Sequence, residues 1–268
     1  MSAQSEKSTG TPLVNASLSL VTFAVFVAAW EAAVRLFEIP NIILPAPSAI
    51  AVAFWSSLRS GELVWHTLVT LFEILAGFAL GAVSGLAMGF VIALFPLAER
   101  ILYPYVVAFQ TIPKVAIAPI IVIWFGFGPS SKVVITATIA FFPLIANTIT
   151  GLRAAPQEQV EMMITFTASR WQVFRLVRFP QALPYIFVGL DIAMVLSVIG
   201  AIVGEFVGAK SGLGYLILQK NFNFDLAGTF AVLIVLSAIG VGLHALTSWL
   251  QRRVVFWVDL AGERVTGA

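Results

Sequence analysis

Residues 66–95 read HTLVTLFEILAGFALGAVSGLAMGFVIALF, with one charged side chain, Glu73, among them. A helix needs about 20 mainly apolar residues to cross the hydrocarbon core of a membrane, so this stretch is more than long enough. Five more segments share its character: 15–37, 101–127, 131–151, 181–207 and 226–250. Six such segments define an all-α, polytopic membrane fold. The composition excludes the soluble alternative. Of 268 residues 60% are hydrophobic and 10% charged, against roughly 25% charged in soluble domains. A formal net charge of +2 gives no electrostatic case for nucleic acid, and the absence of cysteine removes disulfides, thiolate metal sites and cysteine nucleophiles.

Two of the spans carry unusual residues. Gly77, Gly81, Gly85 and Gly89 recur every four positions in the second, with Ala82 and Ser84 beside them. At 3.6 residues per turn they form one smooth stripe, which lets another backbone approach closely. That neighbour is either within the chain, the reading we favour, or in a second copy. The third span holds Pro104, Pro113 and Pro119. Such breaks survive at membrane depth only where protein or a water-filled cavity satisfies the freed backbone groups. It is therefore either a pathway lining or a kinked packing helix. No inverted repeat stands out, which weighs against common secondary-transporter architectures.

With six spans both termini share a side. That side collects Lys7, Arg100, Arg153, Arg170, Arg175, Arg178, Arg252, Arg253 and Arg264, against Arg59, Lys132, Lys210 and Lys220 opposite. The positive-inside rule then puts both termini in the cytoplasm. Residues 1–14 read as an N-terminal cytoplasmic tail leading into a retained helix, 15–250 as the transmembrane domain and 251–268 as a C-terminal cytoplasmic tail. In the external segment 38–65, Ser48 is placed to cap a short helix through Trp55. Trp55, Trp65, Trp249 and Trp257 suit membrane interfaces.

One long polar connection remains, residues 152–180, LRAAPQEQVEMMITFTASRWQVFRLVRFP. Pro156 suits the first position of a helix, and Gln157, Glu158 and Glu161 crowd its positive end. Ser169 is a good N-cap for a second helix that Pro180 would end after Phe179. On that helix Trp171, Phe174 and Val177 form an apolar edge, flanked by Arg170, Arg175 and Arg178. Two readings stand: a docking element for another protein, or an amphipathic loop lying on anionic lipid.

The segment from Glu161 to Pro180 resembles the cytoplasmic EAA loop of ATP-binding-cassette importer permeases. Glu161 matches the glutamate, Met162 and Met163 replace the alanines, and Thr167 stands at the glycine position. Nine residues, Ala168 to Leu176, lead to Val177-Arg178-Phe179-Pro180 in place of Ile-x-Leu-Pro. Residues 44–49 (LPAPSA), 111–128 (TIPKVAIAPIIVIWFGFG), 141–147 (FFPLIAN), 168–185 (ASRWQVFRLVRFPQALPY) and 204–216 (GEFVGAKSGLGYL) are similar to successive landmarks of the nitrate/sulfonate/taurine branch. The similarity covers about residues 28 to 257.

The resemblance implies a type I importer permease fold in a bacterial inner membrane. It also implies a homodimer with the pathway between copies, a separate ATP-binding-cassette ATPase and an external solute-binding protein. The ATPase would be gripped through Glu161, Thr167, Ala168, Ser169, Arg170, Trp171, Phe174 and Pro180. The glycine replacement matters. Threonine is β-branched and disfavours positive φ, so the turn either avoids that conformation or shifts its bend to Ala168.

Gly204 to Ser211, GEFVGAKS, is no phosphate loop. It has three residues between its glycines where four are needed, and Ala209 separates Gly208 from Lys210. The chain thus binds no cofactor of its own, and ATP with Mg belongs on the partner. Charges within spans are expensive and call for partners. Lys114, Asn147, Thr136, Asp191 and Glu205 are candidate pathway residues, with structural pairing between helices as the competing reading. Lys114 and Asp191 suit a buried pair, Glu31 and Arg35 a local one. His66 and His244 stand isolated. No paired carboxylates, histidine cluster or nucleophile constellation speaks for an enzyme. The expected function is passage of a small anionic or heterocyclic solute, driven by a separate ATPase. The alternative is an ATPase-independent transporter or channel.

Overall fold

The computed structural model describes residues 12–257, with side chains from Ser17 onward. Residues 1–11 and 258–268, including Lys7, Arg264 and most of both expected tails, lie outside the described residues. Those described form helices α1 Pro12–Leu36, α2 Pro47–Arg59, α3 Glu62–Leu94, α4 Pro96–Thr111, α5 Lys114–Phe125, α6 Pro129–Arg153 and α7 Gln157–Thr165. Next come α8 Arg170–Val173, a π-helical turn Phe174–Arg178, α9 Phe179–Phe206, α10 Leu213–Phe222 and α11 Leu226–Val254.

The centre is the triplet α3, α6 and α9, brought together by glycine. Gly77 lies on Thr136, Gly81 on Ala137 and Ala140, Gly85 on Phe141 and Leu144, and Gly89 on Thr148. A methyl group on Gly81 would sit 2.7 Å from the Ala137 carbonyl oxygen and 2.9 Å from the Ala140 Cβ. The small-residue stripe therefore serves contact within the chain. Because the residue numbers rise together, α3 and α6 run parallel. From α9, Gly189 meets Asn147, Gly200 meets Thr136 and Gly204 meets Lys132, so α9 runs antiparallel to both. Asp191 of α9 meets Thr247 of α11, while Ile202 packs near Val232. Hence α11 is antiparallel to α9.

This order decides how the proline-rich third segment travels. It is not one kinked helix over 101–127. α4 and α5 meet at 98°. Ile112 precedes Pro113, and the proline ring disfavours the α conformation there; Ile112 is accordingly extended, at φ −71° and ψ 130°. Pro119 lies inside α5, which stops at Gly126 with φ +81°. Since α3 and α6 point the same way, the chain between them must return from one end of the bundle to the other. The side chains agree: Glu99 at the start of α4 pairs with Arg153 at the end of α6, at 2.6 Å. Phe127, just after α5, packs on Gly208 beyond the far end of α9. The bent pair is one broken span. With α1, α3, α6, α9 and α11 it makes six.

Several boundaries differ from expectation. The second helix of the 152–180 connection does not end before Pro180. It continues from Arg170 to Phe206 as one 37-residue apolar helix. Pro180 lacks the N–H for the Leu176 carbonyl and its ring crowds that group; widening Phe174–Arg178 into a π turn relieves the clash without stopping the helix. Pro156 is the N-cap of α7, one place before its expected position. α11 runs to Val254, past the expected limit at 250. Ser48 does not cap α2. Pro47 takes the first turn and Ala46 the cap position, with no side-chain bond. Ser48 instead donates from its amide and its hydroxyl to the Glu31 carboxylate, at 3.0 and 2.8 Å. Glu31 also holds Arg35, as expected.

Candidate functional site

The 152–180 connection is a helical hairpin at the end of the bundle where α3 and α6 finish. Its turn is fully hydrogen-bonded. The Thr167 amide donates to the Ile164 carbonyl at 2.9 Å and the Ala168 amide to the Met163 carbonyl at 3.0 Å. This pair of bonds is a Schellman motif, whose hinge residue must be left-handed. Thr167 has φ +60°. Neither expected escape occurs, because both bonds require the left-handed residue at 167. Ser169 then opens the second helix with a capping box: its amide donates to Gln172 Oε1 at 2.7 Å, and the Gln172 amide to Ser169 Oγ at 3.3 Å.

The expected apolar edge splits. Val173 and Val177 are buried, and Phe174 packs edge-on against Phe90 of α3 and beside Phe179. These residues root the hairpin in the bundle. Trp171 stacks on Phe174 at 5.4 Å but is 65% exposed. Met162, Ile164 and Phe166 on the first arm and its turn are exposed apolar side chains too, Phe166 at 76%. Glu161 is exposed, accepting from Gln157 at 3.2 Å. Arg170 is exposed too, and Pro180 lies within the continuous helix. Because α8, the π turn and α9 are continuous, any force on Trp171 acts on a rod that reaches the opposite end of the bundle.

A second feature is an open groove of about 510 Å³ along α4, α5, α6 and α9, lined by Gln110, Lys114, Phe142, Asn147 and Leu196 among others. Lys114 Nζ donates to the Gln110 carbonyl at 2.7 Å and stands 4.6 Å from the centre of the Phe142 ring. Asn147 donates to the Pro143 carbonyl at 2.8 Å. An ammonium group has three donors, and one is used. Gln110 and Ala146 also line a neighbouring cavity of about 350 Å³ that ends at Tyr103 and Arg153. The two share these residues and adjoin along α4 and α6. Gln110 and Phe142 went unnoticed in the sequence, although Gln110 lies one helical turn before Lys114.

The other three polar residues lie elsewhere. Thr136 is wholly buried between Gly77 and Gly200, its hydroxyl without a hydrogen-bond partner among the described residues. Asp191 does not pair with Lys114. It faces α11, bonded to His244 Nδ1 at 2.7 Å and to the Thr247 hydroxyl at 2.5 Å, so His244 is not isolated. Glu205 is 1% exposed and lies beside Glu73, which is 2% exposed, with buried Lys132 near both. The chain thus has a pair of carboxyl groups that the sequence alone did not reveal. His66 accepts from the Gly212 amide at 2.9 Å and is likewise engaged. These partners are 53 to 146 residues apart in sequence, too far for spacing to show them.

Residues 77–256 match the family described as the binding-protein-dependent transport system inner membrane component. The riboflavin transport system permease protein RibX of Chloroflexus aurantiacus is 41% identical over 92% of this chain and 91% of its own. The formylaminopyrimidine transport permease protein ThiX of Halalkalibacterium halodurans is 36% identical over 88% and 93%. A chain of Escherichia coli (strain K12) whose name assigns it to aliphatic sulfonates transport, as permease protein SsuC, is 33% identical over 85% and 86%. In fold, a chain of the inward-facing MetNI methionine ABC transporter superposes with a TM-score of 0.64 at 21% identity, covering 73% of this chain and 97% of that one.

Proposed function

We propose that this chain, which belongs to the binding-protein-dependent transport system inner membrane component family, is driven through its 152–180 hairpin. It is the permease subunit of an ATP-driven importer, of the nitrate/sulfonate/taurine type, and works with a separate ATPase and a solute-binding protein. The observation that carries the reading is the capped, apolar-tipped hairpin continuous with α9. Met162, Ile164, Phe166 and Trp171 would seat in the ATPase, with Glu161 and Arg170 at the rim. ATP and Mg stay on the partner. Closure of the ATPases would then push the α8–α9 rod lengthwise.

The hairpin end faces the cytoplasm in this reading. Arg100, Arg153, Arg170, Arg175, Arg178, Arg252 and Arg253 gather there, against Arg59, Lys132, Lys210 and Lys220 at the opposite end. No α4 residue is buried, and the Lys114 groove stands open. A second copy applied across α4 and α5 would close it into a shared pathway. Within it Lys114, Gln110 and Asn147 offer donors beside the Phe142 ring. Two relatives are named for riboflavin and formylaminopyrimidine. A flat, acceptor-rich heterocycle is accordingly the class of cargo that suits this lining. The test is purification followed by uptake in vesicles. The chain should copurify with an ATP-binding protein and take up solute in a vanadate-sensitive manner. Phe166→Ala with Trp171→Ala should lower ATPase attachment about tenfold or more, as expected for apolar anchors. Uptake driven only by an ion gradient, without nucleotide, would overturn the reading.

A further inference from the structure

At the end of α9 opposite the hairpin lies a buried cluster that the transport reading does not use. α10 begins there, after a turn through Gly208 and Gly212, whose φ values are +138° and +109°. The first amide groups of a helix have no partner within it. Here side chains from two other helices take them. Gly212 donates to His66 Nδ1 at 2.9 Å, Leu213 to Thr70 Oγ1 at 2.7 Å, and Gly214 to Glu205 Oε2. Thr70 in turn donates to Glu205 Oε1 at 2.6 Å, which closes the network.

The placement of a carboxylate there has a physical cause. The amino end of a helix carries partial positive charge, and an anion in contact with the free amides is held by both the dipole and the bonds. Glu205 is the penultimate residue of α9 and is 1% exposed. It is therefore a fixed joint between α9 and α10, sealed from solvent. The other end of α10 is tied to α3 and α11. Lys220 pairs with Glu62 of α3 at 3.2 Å and with Asp225 at 3.6 Å, and Asn221 accepts from Thr229 of α11 at 2.9 Å. Beyond these ties Phe222 and Phe224 stand 79% and 70% exposed on the outer face of the bundle.

We infer that Glu205, braced by Thr70, is a positioning residue that makes α10 move as one body with the α8–α9 rod, so that motion at the hairpin reaches the surface around Phe222. The inference rests on the transport reading, because it needs an ATPase at the hairpin. Its content is narrower: one hydrogen-bonded joint carries the motion across.

The chain has no cysteine, so Arg175→Cys and Phe222→Cys give a clean pair of spin-label sites, one at each end of the rod. The distance between them within one copy is measured in the ATPase complex in nanodiscs, with labelled chain diluted into excess unlabelled chain to remove distances between copies, nucleotide-free and trapped with ATP and vanadate. In the parent and in Thr70→Ser, which keeps the hydroxyl, one distance should persist in both states. In Thr70→Val and in Glu205→Gln the distance should shift or split on trapping, while ATPase attachment and unstimulated hydrolysis by the Thr70→Val complex stay at the parent level. A shift in the parent itself would overturn the inference, as would an unchanged single distance in Thr70→Val. Loss of attachment in Thr70→Val would make the cluster merely structural and overturn it as well. An ATPase that fails to bind even the parent would overturn the transport reading and this inference together.

Discussion

Thr167 shows how much chemistry a single position can hold. A β-branched side chain in the left-handed region carries a cost of about 1–2 kcal/mol, yet φ here is +60°. Two Schellman bonds before it and the Ser169 capping box after it leave no other way to turn between α7 and α8. Thr167→Gly should therefore strengthen the turn, by about 0.5–1 kcal/mol once glycine's greater backbone entropy is set against the relief. Hydrogen exchange at the Ala168 amide reads this directly, and it should slow about threefold with ATPase attachment kept. The departure from glycine was legible in the sequence, but its resolution was not. Which of two torsions yields depends on hydrogen bonds that exist only after both helices form. Asp191 teaches the same lesson from the other side. Its charge marked it as needing a partner, but the partners His244 and Thr247 lie on a helix more than fifty residues away.

Among elements, periodic features were legible and junctions were not. The four-residue spacing of Gly77, Gly81, Gly85 and Gly89 announced a close helix contact, and α6 supplies it. A methyl group at Gly81 would meet the Ala137 backbone, which cannot retreat, whereas one at Gly240 of α11 would find nothing within 4 Å. Gly81→Ala should accordingly lower stability by about 1–3 kcal/mol through overpacking, visible as a lower midpoint in thermal unfolding. Gly240→Ala should leave that midpoint unchanged or raise it slightly. The prolines were harder to read. Pro113 and Pro180 look alike in sequence, but one breaks its span into two helices at 98° and the other is absorbed by a π turn. What separates them is burial of the preceding chain: Val173 and Val177 anchor the helix before Pro180, while α4 has no buried residue to hold it in line with α5.

On the scale of the whole molecule, the parallel run of α3 and α6 requires an odd number of crossings between them, and the bent pair supplies one. Six spans then follow from contacts rather than from hydropathy alone. The hairpin, the Lys114 groove and the Glu205 joint fall at three levels along one axis, with α9 touching all three. The central claim is that Phe166 and its neighbours face the cytoplasm and are covered by a separate motor. A single cysteine at that site, Phe166→Cys, tests it in an otherwise cysteine-free chain. A membrane-impermeant maleimide should leave it unlabelled in intact cells, label it in inverted vesicles stripped of the ATPase, and fail again once the ATPase is restored. Labelling in intact cells, or labelling in inverted vesicles that the ATPase does not block, would contradict the account.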